Sequence, residues 1–150
     1  MVEELRNRGF EAGCIEEAGG NIGRWKTQTG EIKIDGNCKM PGEIDVLAYN
    51  STLNIAIIVE CKVIKDIKDY KSYRNILIKV NKFKGNILDK QKWVSEALLN
   101  HFSFPVPIEI VILSDIPLPI INPNSYEVYF HNYNDFFNDL DEFIAENMRE

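Results

Sequence analysis

Two short stretches decide how this chain reads: Pro41-Gly42-Glu43-Ile44-Asp45-Val46-Leu47 and Ile58-Val59-Glu60-Cys61-Lys62. Strand alternation places Glu43 and Asp45 on one face of the first and Ile44 and Val46 on the other. By the same rule Glu60 and Lys62 share a face of the second. The second stretch closes the run Ile55-Ala56-Ile57-Ile58-Val59, which is apolar on both sides, as a strand in the middle of a sheet is. The turn-prone Tyr49-Asn50-Ser51-Thr52 separates the two strands, predicted over Ile44–Ala48 and Leu53–Cys61. A hairpin therefore brings Asp45, Glu60 and Lys62 to one end of a pair of buried strands.

That placement has a chemical consequence. A carboxylate at the mouth of a core strand needs a cation or several hydrogen bonds, because burying it alone is unfavourable or raises its pKa. Two carboxylates with a lysine beside them make a hard-oxygen site of the kind Mg²⁺ takes, with Mn²⁺ as its substitute. Asp45 and Glu60 are the expected ligands, with the backbone carbonyl of Cys61 as a further one. Such an ion acidifies water and neutralises charge on a phosphate. Lys62 is expected to orient or deprotonate the attacking water and to offset the developing negative charge.

Working outward, residues 2–10 read as the last turns of a helix stopped at Gly9. Gly19-Gly20-Asn21-Ile22-Gly23 is a turn; it fits neither GxGxxG nor the Walker pattern. Trp25 to Asp35 alternates as a strand closed by Asp35-Gly36. Residues 62–83 are highly charged, part helix and part loop. Ile87 to Leu99 is a helix with Ile87, Val94, Ala97 and Leu98 on one face, and Trp93 is a core residue. Ile108–Leu113 and Tyr126–Phe130 are strands, with Asp115 and Pro117-Leu118-Pro119 breaking the chain after the first. Phe136, Phe137, Leu140, Phe143 and Ile144 make an amphipathic helix with Asn132 or Asn134 as its N-cap. This order predicts a single α/β domain over residues 1–150, a mixed sheet flanked by helices.

Composition sets bounds on function. The chain has 150 residues and a net charge of −6. Residues 62–92 hold ten Lys or Arg against three Asp, while 104–150 hold one Arg against nine acids. A basic middle and an acidic tail thus lie behind the overall sign. Cys14, Cys38 and Cys61 form no CxxC pair, and His101 and His131 are the two histidines, so neither a zinc site nor a disulfide framework is expected. The cysteines read as small buried or half-buried thiols. No apolar stretch is membrane-length and the N-terminus lacks a signal-peptide layout, so the expected compartment is the cytoplasm, with no membrane partner.

Asp45, fourteen intervening residues and then Glu60-Cys61-Lys62 resemble the D-(x)n-ExK signature of the PD-(D/E)xK nucleases. Gly-Glu-Ile-Asp-Val-Leu followed by an apolar strand ending Glu-Cys-Lys is similar to the Holliday-junction-resolvase-like and Mrr-like branches of that superfamily. The likeness is clearest over residues 41–62 and extends across about 40–114. It implies a restriction-endonuclease-like mixed central sheet flanked by helices, and Mg²⁺-dependent hydrolysis of DNA in restriction, repair or defence. The residues do not distinguish DNA from RNA. Pro41 stands four residues before Asp45 rather than next to it.

The resemblance also implies a further glutamate on the first helix. Glu3 and Glu4 come late for it: either that acid is dispensable here, or this is a domain cut from a longer protein. Lys90 and Gln91 stand where related nucleases keep an auxiliary basic or amide residue, and Glu43 is a further auxiliary candidate. Lys65, Lys68, Lys71, Arg74, Lys79, Lys82 and Lys84 are expected to contact phosphates; the bland alternative is a solvated charged face. Cutting two strands implies a homodimer or attachment to further domains. Two other functions compete with the nuclease: a catalytically silent module of this fold that binds DNA or a protein, and an α/β assembly domain that docks through its acidic tail.

Overall fold

The apolar run at 55–59 lies inside a seven-stranded sheet in the computed structural model, which describes residues 1–62, 70–114 and 128–148. At residues 62, 70–73, 75–84, 114 and 128–133 the description covers the backbone. In chain order the elements are α1 (Val2–Asn7), β1 (Glu11–Gly19), β2 (Ile22–Thr27), β3 (Gly30–Asp35), β4 (Ile44–Asn50) and β5 (Ile55–Lys62). There follow α2 (Tyr70–Phe102), β6 (Ile108–Ser114), β7 (Val128–Asn132) and α3 (Tyr133–Asn147). The sheet order is β3-β2-β1-β4-β5-β6-β7. Strands β3 to β5 pair antiparallel along that order, whereas β5–β6 and β6–β7 are parallel. The sheet is therefore mixed and helices cover both faces.

Strand β5 alternates between two cores. Ala56 and Ile58 face a cluster with Ile15, Trp25, Leu47, Trp93, Val94, Ala97 and Leu98, which α2 closes. Ile57 and Val59 face a cluster with Leu5, Phe10, Val46, Val111, Phe136, Phe137 and Leu140, which α1 and α3 close. Each large side chain removed from water in this way contributes about 1.5–3 kcal/mol. Both buried indoles have acceptors: Trp25 Nε1 donates to the Leu47 carbonyl at 3.0 Å and Trp93 Nε1 to that of Cys38 at 3.2 Å. Arg8 ties α1 to α3, donating to Asp141 at 2.6 Å with its guanidinium over the Phe137 ring at 4.5 Å.

Several expectations need correction. Glu11–Gly19 is a strand that its composition concealed, since Ala12, Gly13, Ala18 and the glutamates Glu11, Glu16 and Glu17 carry little β-propensity. The expected strand at 25–35 is two, β2 and β3, reversing at Gln28-Thr29. There Thr27 Oγ1 donates to the Gly30 carbonyl at 2.9 Å and accepts the Thr29 N–H at 3.3 Å, turning the chain with a side chain instead of a glycine pair. The helix expected at 87–99 is the C-terminal half of α2, whose 33 residues span about 50 Å. Cys38 and Cys61 are exposed, not buried, and no disulfide joins the three cysteines. Tyr126, Asp115 and the Pro117-Leu118-Pro119 segment lie outside the described residues, while Asn132 does stand directly before α3. Among the described residues no helix is long and apolar enough to cross a membrane.

Two glycines should respond in opposite directions. A Cβ on Gly13 would lie 1.4 Å from the Lys26 carbonyl oxygen, a backbone atom of β2 that cannot swing away. Gly13→Ala is expected to destabilise by roughly 3 kcal/mol. Gly85 is exposed in α2 with nothing within 4 Å of the added carbon. Gly85→Ala should stabilise by about 0.5–1 kcal/mol. Urea midpoints of the two variants check both signs.

Candidate active site

Strand β4 begins out of step. Ile44 joins the α2-side core, Val46 the opposite core and Leu47 the α2 side again. Against β1, the three-residue step from Ile44 to Leu47 is matched by the two-residue step from Ile15 to Gly13. One extra residue is therefore accommodated at Ile44–Val46, a β-bulge of the kind that re-aims side chains. The expectation that Ile44 and Val46 share a face is overturned, because strict alternation holds only in a regular ladder. Asp45, in the bulge, is exposed.

The bulge aims Asp45 at the end of β5. Pairing of β4 with β5 runs from Asn50↔Ile55 to Val46↔Val59. At the next step the Asp45 side chain takes over: Oδ2 accepts the Cys61 N–H at 3.1 Å. The carboxylate thereby fills the place of a ladder acceptor and is fixed beside Glu60. Cys61 enters the site through that N–H.

Glu60 follows Ile58 onto the α2 side and is 2% exposed. Lys90 of α2 meets it, Nζ donating to Glu60 Oε1 at 3.0 Å. Burial, and then the hydrogen-bonded Asp45 carboxyl, push the Glu60 pKa up from the ordinary 4.5 to about 7, although Lys90 pulls the other way. Desolvation thus outweighs the ion pair. The site is two carboxyls crowded at the mouth of the sheet, one exposed and one buried, with a buried ammonium behind the second.

Such a pair suits a hard divalent cation. Its carboxyl oxygens are the right donors, and the crowding that raises Glu60 is what a cation would relieve. Among the described residues no three His, Cys, Asp or Glu side chains are grouped to hold a metal ion, so the acidic part of the site is this pair.

The other expected site residues divide. Lys62 ends β5, opposite Ser114 of β6, and its side chain lies outside the described part. Glu43 is exposed, one residue before β4. Gln91 serves elsewhere, its Nε2 donating to the Ile108 carbonyl at 3.2 Å. Since Ile108 pairs with Ala56, that contact anchors α2 at the far end of β5 from Glu60. Glu3 and Glu4 do not supply a first-helix acid: they pair with Arg6 and Arg8, and α1 packs on the face of the sheet opposite Lys90. Lys65 and Lys68 lie outside the described residues. Lys71, Arg74, Lys79, Lys82 and Lys84 fall on α2, where Arg74 is exposed. His101 is exposed with its ring edge-on to Phe102.

Of the auxiliary candidates, Lys90 is the one whose side chain meets Glu60. Beside it, Gly42 adopts φ +143°, and a side chain there would begin 3.6 Å from Lys90 Cε.

The raised Glu60 pKa fixes a pH dependence. Below pH 4.5 the carboxyl is protonated folded or unfolded, and its contribution is fully present. Between 4.5 and about 7 the unfolded chain gives up the proton first, so stability falls as pH rises. The loss is at most about 3 kcal/mol. Metal-free wild type should therefore lose stability over that window relative to Glu60→Gln, as melting of the two proteins from pH 4 to 8 would show.

Comparison with protein-family models, with curated proteins and with solved structures gave no match to this chain.

Proposed function

We propose that the chain is a metal-dependent DNA nuclease domain of the PD-(D/E)xK, restriction-endonuclease-like type. The observation that carries this reading is the meeting of Asp45 and Glu60, from adjacent strands, at the end of β5 two residues before Lys62. The mixed sheet flanked by helices supports it. The coincidence of a bulge, a buried acid and a following lysine at one point is more than a strand end requires.

Each residue has a task in this mechanism. Asp45 and Glu60 would hold the ion, Mg²⁺ or Mn²⁺, through the carboxyl oxygens that the Cys61 N–H and Lys90 leave open. The ion would supply charge neutralisation at the scissile phosphate and a more acidic attacking water. Asp45 stays oriented by the Cys61 N–H. Glu60 must give up its proton to serve as a ligand, so ion uptake is favoured as pH rises through about 7. Lys62 orients the attacking water and offsets negative charge as it develops. The basic residues from Lys65 to Lys84 draw in the DNA backbone, a task local charge performs whatever the net charge.

A second reading has its own support. Glu60 is buried and already ion-paired with Lys90, the arrangement of an acid held for structure. A nuclease fold that binds DNA or a partner without cutting would show this pair too.

Plasmid nicking in Mg²⁺, Mn²⁺ and EDTA separates the two. Asp45→Asn and Glu60→Gln should each abolish cleavage and weaken Mn²⁺ binding while the protein stays folded. Lys62→Ala should keep metal binding and lose roughly 10²-fold in turnover. A wild type with no metal-induced melting shift and no nicking, and an Asp45→Asn that destabilises strongly without metal, would leave the acids as structural. Reversing charge at Lys65, Lys68 and Lys71 together should weaken DNA binding and flatten its dependence on salt. Fluorescence anisotropy at several salt concentrations reads this directly.

A further inference from the structure

We propose that Lys90 is the positioning residue of the site: from α2 it holds Glu60 so that one carboxyl oxygen stays available to Asp45 and to a shared divalent cation. This rests on the nuclease reading above. Lys90 is 9% exposed and Glu60 2%, so both charges are withdrawn from water. Burying an ion pair is no better for stability than packing two apolar side chains of the same size, and it orders a long, flexible lysine besides. What the pair does fix is the orientation of one carboxylate.

The same helix also places the other acid. The segment 36–43, which leads into Asp45, is pinned to α2 at several points. Trp93 Nε1 donates to the Cys38 carbonyl at 3.2 Å, and the Asn37 N–H donates to Glu96 at 3.2 Å. Asn100 Nδ2 donates to Asn37 Oδ1 at 3.0 Å. Gly42 leaves room for the Lys90 stem. Lys90, Trp93, Glu96 and Asn100 thus make α2 the common frame for both carboxyls, directly for Glu60 and through the segment for Asp45. Being buried, Lys90 acts through Glu60 and not on the substrate.

The test is Mn²⁺ titration by calorimetry with nicking kinetics, on the full chain, for wild type, Lys90→Met and Lys90→Gln. Lys90→Met is expected to weaken Mn²⁺ binding tenfold or more, the usual range on losing the partner of a ligand, on the order of 10–100-fold. It should lower kcat and leave KM for DNA unchanged, because it touches no phosphate. Lys90→Gln keeps a donor and should fall between. If Lys90→Met does not fold, Lys90→Gln carries the comparison alone. Wild-type or tighter Mn²⁺ binding in the folded variants would show that Lys90 merely competes with the ion, and overturns the proposal while the nuclease reading stands. A wild type that neither binds Mn²⁺ nor nicks DNA overturns both.

Discussion

Strand β5 has no solvent-facing side along most of its length. From Ala56 to Val59 its side chains enter two cores in turn, so a helix must close each face of the sheet. This requirement draws α2 onto one side and α1 and α3 onto the other. It also determines what happens where the apolar run ends. Glu60 continues the α2-side alternation, and a carboxyl is delivered to a position built for an aliphatic group. The burial that stabilises the sheet is what perturbs the acid.

The response to that acid is local and has two parts. Lys90 answers it from the helix, and Asp45 crowds it from the neighbouring strand. One lowers the energy of the charged form and the other raises it, with desolvation deciding the balance. The bulge in β4 that turns Asp45 toward β5 interrupts a ladder that would otherwise continue, and Asp45 repairs the interruption by accepting the Cys61 N–H. The defect and its repair leave a carboxylate in a fixed place at the surface.

Much of this was legible in the residues. The β4–β5 hairpin follows from a doubly apolar run and a turn, β6 from its aliphatic residues, and α3 from the spacing of Phe136, Phe137 and Leu140. The acids of the site are legible because Asp45 and Glu60-Cys61-Lys62 stand at hairpin distance, each at the end of an apolar strand. What could not be read depends on long-range geometry. The resemblance alone points to Lys90; that it meets Glu60, thirty positions away, depends on α2 being laid across the strand. The bulge is invisible because Ile44 and Val46 are equally apolar and only packing assigns them to different faces. Strand β1 is hidden because Gly13 and its small neighbours serve the close approach of β2, which is a demand of assembly and not of local propensity.

The clasp between Arg8 and Asp141 joins residues 133 positions apart, and the core beneath it mixes Leu5 and Phe10 with Phe136, Phe137 and Leu140. During synthesis the first helix emerges early and waits for the last. The α2 side can assemble once residues up to about 113 are out, whereas the opposite side, covered in part by α1, is not closed until translation reaches α3. A nascent chain would therefore hold Val46, Ile57, Val59 and Val111 under α1 alone late in elongation, apolar surface open to wrong contacts until α3 arrives. Closure by so distant a contact also makes the final step of folding slow relative to the first.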